Sequence, residues 1–209
     1  SIVEIMKVHR GQCLFSEDGL ELEYEDLVET IEEFGKQLSS IDMENNKSCA
    51  LVLPNGVDMA ISFLALANYV TVSPLNPNYT KEEFLFFLED LDCEFIITDN
   101  SASNSLLEAA KQLKIKLFYL NNYSPKNRLS IKSLSTPSKC LLDQNKANDI
   151  CLILHTSGTT SRPKQVQLSC MNIISSALNI ARVLQLERED KGMNIMPLFH
   201  IHGLIASLL

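Results

Sequence analysis

Apolar positions along this chain change period several times, and the changes mark its elements. Leu20, Leu22 and Tyr24 alternate with acidic residues after an Asp18-Gly19 turn, the pattern of a half-buried strand. From there the spacing lengthens, and Leu27, Val28, Ile31, Phe34, Gly35 and Leu38 fall on one helical face. Glu25, Asp26, Glu29, Glu32 and Glu33 form its solvated side, the first of them favoured by the helix dipole. The run Ser48-Cys49-Ala50-Leu51-Val52-Leu53 predicts a buried strand stopped by Pro54, and Asn55-Gly56 a turn into a helix from Val57 to about Tyr69. That helix is apolar nearly all round, so burial between layers is expected.

Downstream, a short strand from Val70 leads into the proline- and asparagine-rich turn before Thr80, the predicted N-cap, with Glu83 at the capping-box position. A helix over 82–91, a strand over 93–98, a helix over 103–113 and a strand over 115–120 follow. Strands alternating with helices of this length indicate βαβ crossovers, an α/β fold and a mainly parallel sheet. Residues 121–148 are polar apart from a small apolar patch at Leu129, Ile131 and Leu134. They are read as a connector, so that 1–148 forms a first α/β subdomain and 149–209 begins a second. In the latter, strands are expected over 150–154, 166–169 and 191–196, with Ser169 capping a long helix between the last two.

Composition narrows the class without changing this picture. The chain has 209 residues, 45% hydrophobic and 21% charged, which is ordinary globular usage. No apolar run reaches the roughly 18 residues that span a bilayer. A net charge of −8 argues against a general nucleic-acid binder, because phosphate contacts demand clustered Lys and Arg, but leaves a mononucleotide pocket open. Cys13, Cys49, Cys93, Cys140, Cys151 and Cys170 have no C-x-x-C spacing and sit partly in strand-like runs, as reduced thiols of a cytoplasmic protein would.

The richest chemistry lies where the apolar run 150–154 gives way to His155 and then Thr156-Ser157-Gly158-Thr159-Thr160-Ser161-Arg162-Pro163-Lys164. Hydroxyl donors, a glycine that admits close backbone approach and a lysine charge suit a polyphosphate. The same composition also makes ordinary turns. It is not a Walker A loop, because Pro163 precedes the lysine and Gln165 follows it.

Residues 156–164, in this order, closely resemble the phosphate loop of the AMP-forming adenylate enzymes, the superfamily of acyl-CoA synthetases, luciferases and peptide-adenylation domains. Two further segments resemble that family, Pro74-Leu75-Asn76-Pro77-Asn78-Tyr79-Thr80 and Pro197-Leu198-Phe199-His200-Ile201-His202-Gly203. The family usually has glycine where this chain has Asn68 and Ser161, and glycine or alanine at Gln165. Asn68 is another residue that tolerates left-handed geometry, and Gln165 costs little provided its backbone is extended. His155 with Ser161, and Phe199-His200-Ile201-His202, are similar to the oxalate–CoA ligase branch.

The resemblance implies the large adenylate-forming domain and a two-step ligase. It assigns Thr156, Ser157, Gly158, Thr159, Thr160, Ser161 and Lys164 to the phosphates of ATP, and places His200 beside the acyl pocket. A small carboxylic acid, ATP and coenzyme A are the implied partners, with the ligands of Mg2+ expected beyond residue 209. The family's enzymes are far longer and carry further ATP-binding segments and a C-terminal lid. The chain is therefore expected to be an N-terminal fragment, inactive alone, and a peroxisomal rather than cytoplasmic address would depend on a C-terminal signal outside it. Two rivals stay open, an adenylation domain that loads a carrier protein and a truncated, non-catalytic nucleotide-binding homologue. His200-Ile201-His202 taken as a metal pair lacks a recognisable third ligand.

Overall fold

A computed structural model describes residues 1–17, 19–41, 48–124, 127–132, 142–156 and 163–209. Its centre is a seven-stranded sheet built from β3 (Ser48–Val52), β4 (Thr71–Pro74), β5 (Phe95–Thr98), β6 (Lys116–Asn121), β7 (Ser130–Ile131), β8 (Ile150–Thr156) and β9 (Lys164–Ser169), in the order β7-β6-β5-β3-β4-β8-β9. The five strands β6-β5-β3-β4-β8 run parallel, and each edge strand, β7 and β9, is antiparallel to its neighbour. A separate hairpin pairs β1 (Gln12–Phe15) with β2 (Glu21–Glu23). This is the expected α/β architecture with mainly parallel pairing.

Alternation along the central strands explains why helices cover both faces. Cys49 and Leu51 belong to a core shared with α2 (Tyr24–Ser40) and α3 (Val57–Tyr69), whereas Ala50 and Val52 face α4 (Lys81–Asp90) and α5 (Asn104–Leu113). The helix α3 has no solvated side because it lies between the sheet, α2 and the short α1 (Ile2–Met6), so Met59 through Tyr69 are all buried. Sequence periodicity did not reveal α1, whose N-cap Ser1 accepts from the Glu4 amide.

Local signals set the helix ends. Thr80 Oγ1 accepts from Glu83 N at 3.2 Å while Glu83 Oε2 accepts from Thr80 N at 2.8 Å, the predicted capping box. Ser103 caps α5, and Ser169 caps α6 (Cys170–Leu184) in a second reciprocal arrangement with Asn172. The left-handed C-caps are Lys114 and Gln185. Asn68 is not one of them: it is buried in the last turn of α3, where its Oδ1 accepts from Val3 N at 3.3 Å. Its carbonyl accepts from the amide of Asn145, whose side chain donates to Ala67 O and Val70 O. Here the side-chain bond to Val3, not backbone tolerance, is what asparagine supplies.

Within the connector, Leu129 and Ile131 are buried, and β7 adds to the sheet edge through Leu120↔Ile131. Leu134, Cys140 and Asp18 lie outside the described residues. The expected strand over 191–196 does not form: this stretch is irregular, and Met193 and Ile195 are 86% and 76% exposed. The outer edge of β9 is unpaired among the described strands, and 191–196 does not add to it; strand character in the sequence does not by itself make a ladder. The chain then ends in a π-helical segment, His202–Leu208. No described helix is long and apolar enough to cross a membrane.

Candidate active site

Strands β8 and β9 form the hairpin that carries the hydroxyl-rich segment. Their ladder runs Ile153↔Gln167, Leu154↔Val166, His155↔Gln165 and Thr156↔Lys164, so Thr156 and Lys164 stand opposite one another where the hairpin opens. Thr156 Oγ1 donates to the Lys164 carbonyl at 3.4 Å. Ser157, Gly158, Thr159, Thr160 and Ser161 lie outside the described residues. Strand β9 begins at Lys164, two positions before the apolar signal at Val166. Lys164 and Gln165 are thus sheet residues, and Gln165 has the extended backbone that makes its side chain inexpensive.

Because β8 is parallel to β4, and β4 to β3, Thr156 stands at the carboxyl edge of the sheet, as do Pro54 and Asn55 after β3. Open α/β sheets bind ligands in the crevice outside this edge. Lys164 is exposed, and no ion pair among the described residues uses its ammonium.

The segment bearing His200 is docked on the same edge. Asn55 Oδ1 accepts from Leu198 N at 2.8 Å, and the Leu198 side chain is buried in the core around α3. A turn closes through His200 N to Pro197 O at 3.1 Å, and His200 O accepts from Leu204 N. Gly203 is wedged against this turn, with an ideal Cβ only 2.4 Å from Pro197 O. His200 and His202 are both exposed, and the His200 ring lies 4.7 Å from that of Phe199. No group of three His, Cys, Asp or Glu side chains among the described residues could hold a metal ion.

One cluster was not anticipated from sequence. At the C-terminal end of α4, Asp90 Oδ2 lies 2.8 Å from His155 Nε2 and 2.9 Å from Gln165 Nε2. Gln165 Nε2 also donates to the Asp90 carbonyl. His155 holds the Asp90 carboxyl below its ordinary value, with help from Gln165. An ionised carboxylate only accepts, so Nε2 of His155 carries the donated hydrogen. The His155 side chain is 8% exposed, with Phe87 4.7 Å from it edge-on. Its position before the loop was noticeable in sequence; a partner 65 residues away was not.

The AMP-binding enzyme family matches residues 6–209. An oxalate–CoA ligase from Arabidopsis thaliana is 40% identical over 166 residues, covering 77% of this chain and 32% of that protein. One from Saccharomyces cerevisiae is 35% identical over 185 residues, covering 77% of this chain and 34% of that protein. The chain thus spans about a third of the length of these curated relatives. Among solved structures, ATP-bound MatB from Rhodopseudomonas palustris superposes with a TM-score of 0.83 at 22% identity, over 98% of this chain and 42% of that one. The o-succinylbenzoate CoA synthetase of Bacillus subtilis, bound to its acyl-adenylate intermediate, gives 0.81 at 22% identity, over 99% and 52%. Fold and sequence match agree, and the chain belongs to the AMP-binding enzyme family.

Proposed function

We propose that this chain is the N-terminal part of an ATP-dependent, AMP-forming acid–CoA ligase. One observation carries the reading: the hydroxyl-rich sequence 156–164 springs from an antiparallel hairpin at the carboxyl edge of a parallel sheet, with Lys164 free of described ion pairs. Similarity to relatives named oxalate–CoA ligase supports it.

In the first step a carboxylate oxygen attacks the α-phosphorus of ATP, and the bond to the bridging oxygen breaks to release pyrophosphate. Thr156, Ser157, Gly158, Thr159, Thr160 and Ser161 would bind the β- and γ-phosphates through hydroxyl and backbone donors. Lys164 would offset charge that grows on the leaving pyrophosphate. In the second step the thiol of coenzyme A attacks the acyl carbon of the adenylate and AMP departs. His200 would border the acyl group. Mg2+ belongs to the same proposal, with ligands beyond residue 209.

Oxalate is the proposed acid, supported by the names of the relatives and by His155, Ser161 and the Phe199-His200-Ile201-His202 order. The proposal also treats 149–209 as the start of a second subdomain, supported by the exposed Leu178, Val183, Met193 and Ile195 that further chain would cover. A cytoplasmic location is supported by free thiols at Cys13, Cys49, Cys93, Cys151 and Cys170.

Acid-dependent ATP–pyrophosphate exchange tests the reading, run on the full-length protein and on residues 1–209 with oxalate and a panel of carboxylic acids. Exchange by the long form with one acid, followed by thioester formation with coenzyme A, is the expected result, with none from 1–209. Exchange without thioester formation would favour a carrier-protein acceptor. ATP binding without exchange would favour a non-catalytic nucleotide-binding module.

A further inference from the structure

Asp90 is placed against local preference. It is the last residue of α4, where the helix dipole disfavours a carboxylate, and no basic residue stands in that turn. What offsets this comes from two strands at once: His155 on β8 and Gln165 on β9, opposite one another in the ladder, both donate to its carboxylate. The packing of His155 against Phe87, also on α4, fixes the ring edge that points at Asp90.

The pleat gives this contact its consequence. His155 and Gln165 share the sheet face of Ile153 and Gln167, toward α4, so Thr156 and Lys164 project to the opposite face. That opposite face is the one on which Leu198 and the turn bearing His200 are packed. A slip of one residue in β9 would reverse every side chain in it, turning Lys164 toward α4 and removing Gln165 from Asp90. We infer that Asp90 is a positioning residue that locks the two stems of the 157–162 segment in register and so keeps Lys164 on the face of the acyl-side turn. The departure at Gln165 is then functional: glycine or alanine at that position could not reach the carboxylate.

This inference rests on the ligase reading, and two measurements separate their failures. In the full-length protein, Asp90→Ala and Gln165→Ala are each expected to raise the KM for ATP in pyrophosphate exchange about tenfold to a hundredfold, as misplacement of a binding group does. The double variant should be no worse than the worse single one, and Asp90→Asn, whose carbonyl oxygen can stand in for Oδ2 and accept from both His155 and Gln165, should recover much of the loss. A purely structural contact would lower thermal stability in all of these and leave the KM for ATP alone. If Lys164→Ala raises that KM while Asp90→Ala and Gln165→Ala do not, the positioning role is wrong and the ligase reading stands. Should the unaltered protein catalyse no exchange with any acid, the ligase reading fails, and amide hydrogen exchange decides the lock by itself. Loss of protection at the ladder amides of the His155↔Gln165 and Thr156↔Lys164 pairs in Asp90→Ala is expected, and unchanged protection there overturns the inference.

Discussion

A Cβ on Gly203 would stand 2.4 Å from the carbonyl oxygen of Pro197 and 2.9 Å from that of Met196, and backbone cannot swing aside as a flexible side chain does. Gly203→Ala is therefore expected to cost about 1–3 kcal/mol, as overpacking does, and to shift the turn that bears His200. Denaturant unfolding reads the first effect, and the KM for the acid reads the second. Lys164→Ala should behave in the opposite way. Its side chain is exposed, so stability should change by no more than about 0.5 kcal/mol, while adenylation slows and ATP use weakens. Unchanged exchange kinetics would remove Lys164 from the site. Asp90 predicts a pH dependence. Its carboxyl is held below the ordinary value of 3.8, so the stability it contributes is fully present above that value and is lost as pH falls through the lowered one. The groups facing it are His155 from β8 and the neutral Gln165 from β9. Since the Asp90 side chain is 39% exposed, solvent screening keeps the contribution near a few tenths of a kcal/mol, up to about 1. Unfolding of Asp90→Ala beside the parent should show a gap at pH 6 that narrows as pH falls below the ordinary carboxylate value; a gap that does not narrow contradicts this assignment.

Elements follow local rules where the chain supplies its own partners. Thr80 with Glu83 and Ser169 with Asn172 each satisfy two amides that a helix start leaves open, and Thr80 was legible as a cap from its neighbours alone. Ser169→Ala should cost about 1 kcal/mol in thermal or denaturant unfolding. Because β9 runs directly into α6 at this residue, the same change is expected to increase amide exchange in the first turn of α6. Rules of this kind fail where an element depends on something distant. The 191–196 run has strand character but joins no described edge, and Asn68 fits a left-handed cap in the abstract, yet its side chain accepts from Val3 and its carbonyl from Asn145. Asn145→Ala would remove two side-chain donors from the carbonyls of Ala67 and Val70, both buried. A loss of about 1–3 kcal/mol is expected in denaturant unfolding.

At the scale of the whole molecule, large apolar side chains cluster late in the chain: Val183, Leu184, Leu186, Met193 and Ile195 are each more than half exposed. Apolar side chains this exposed favour association where they adjoin. Residues 1–209 produced alone are expected to self-associate as concentration rises, and replacing Met193 and Ile195 with lysine should shift the population toward monomer in light scattering after size exclusion. A monomeric parent would contradict this. The amino-acid sequence by itself determined the order and type of most elements, because hydrophobic period and capping chemistry act over a few residues. It also displayed the motif 156–164, because that run of hydroxyl residues, glycine and lysine is contiguous in the chain. Only the tertiary structure decided the edges of the sheet, the absence of a strand over 191–196, the fate of Asn68 and the meeting of Asp90 with His155 and Gln165. Each of these depends on groups tens of residues apart, brought together by burial of a shared core, and no local period encodes which distant partner a polar side chain will find.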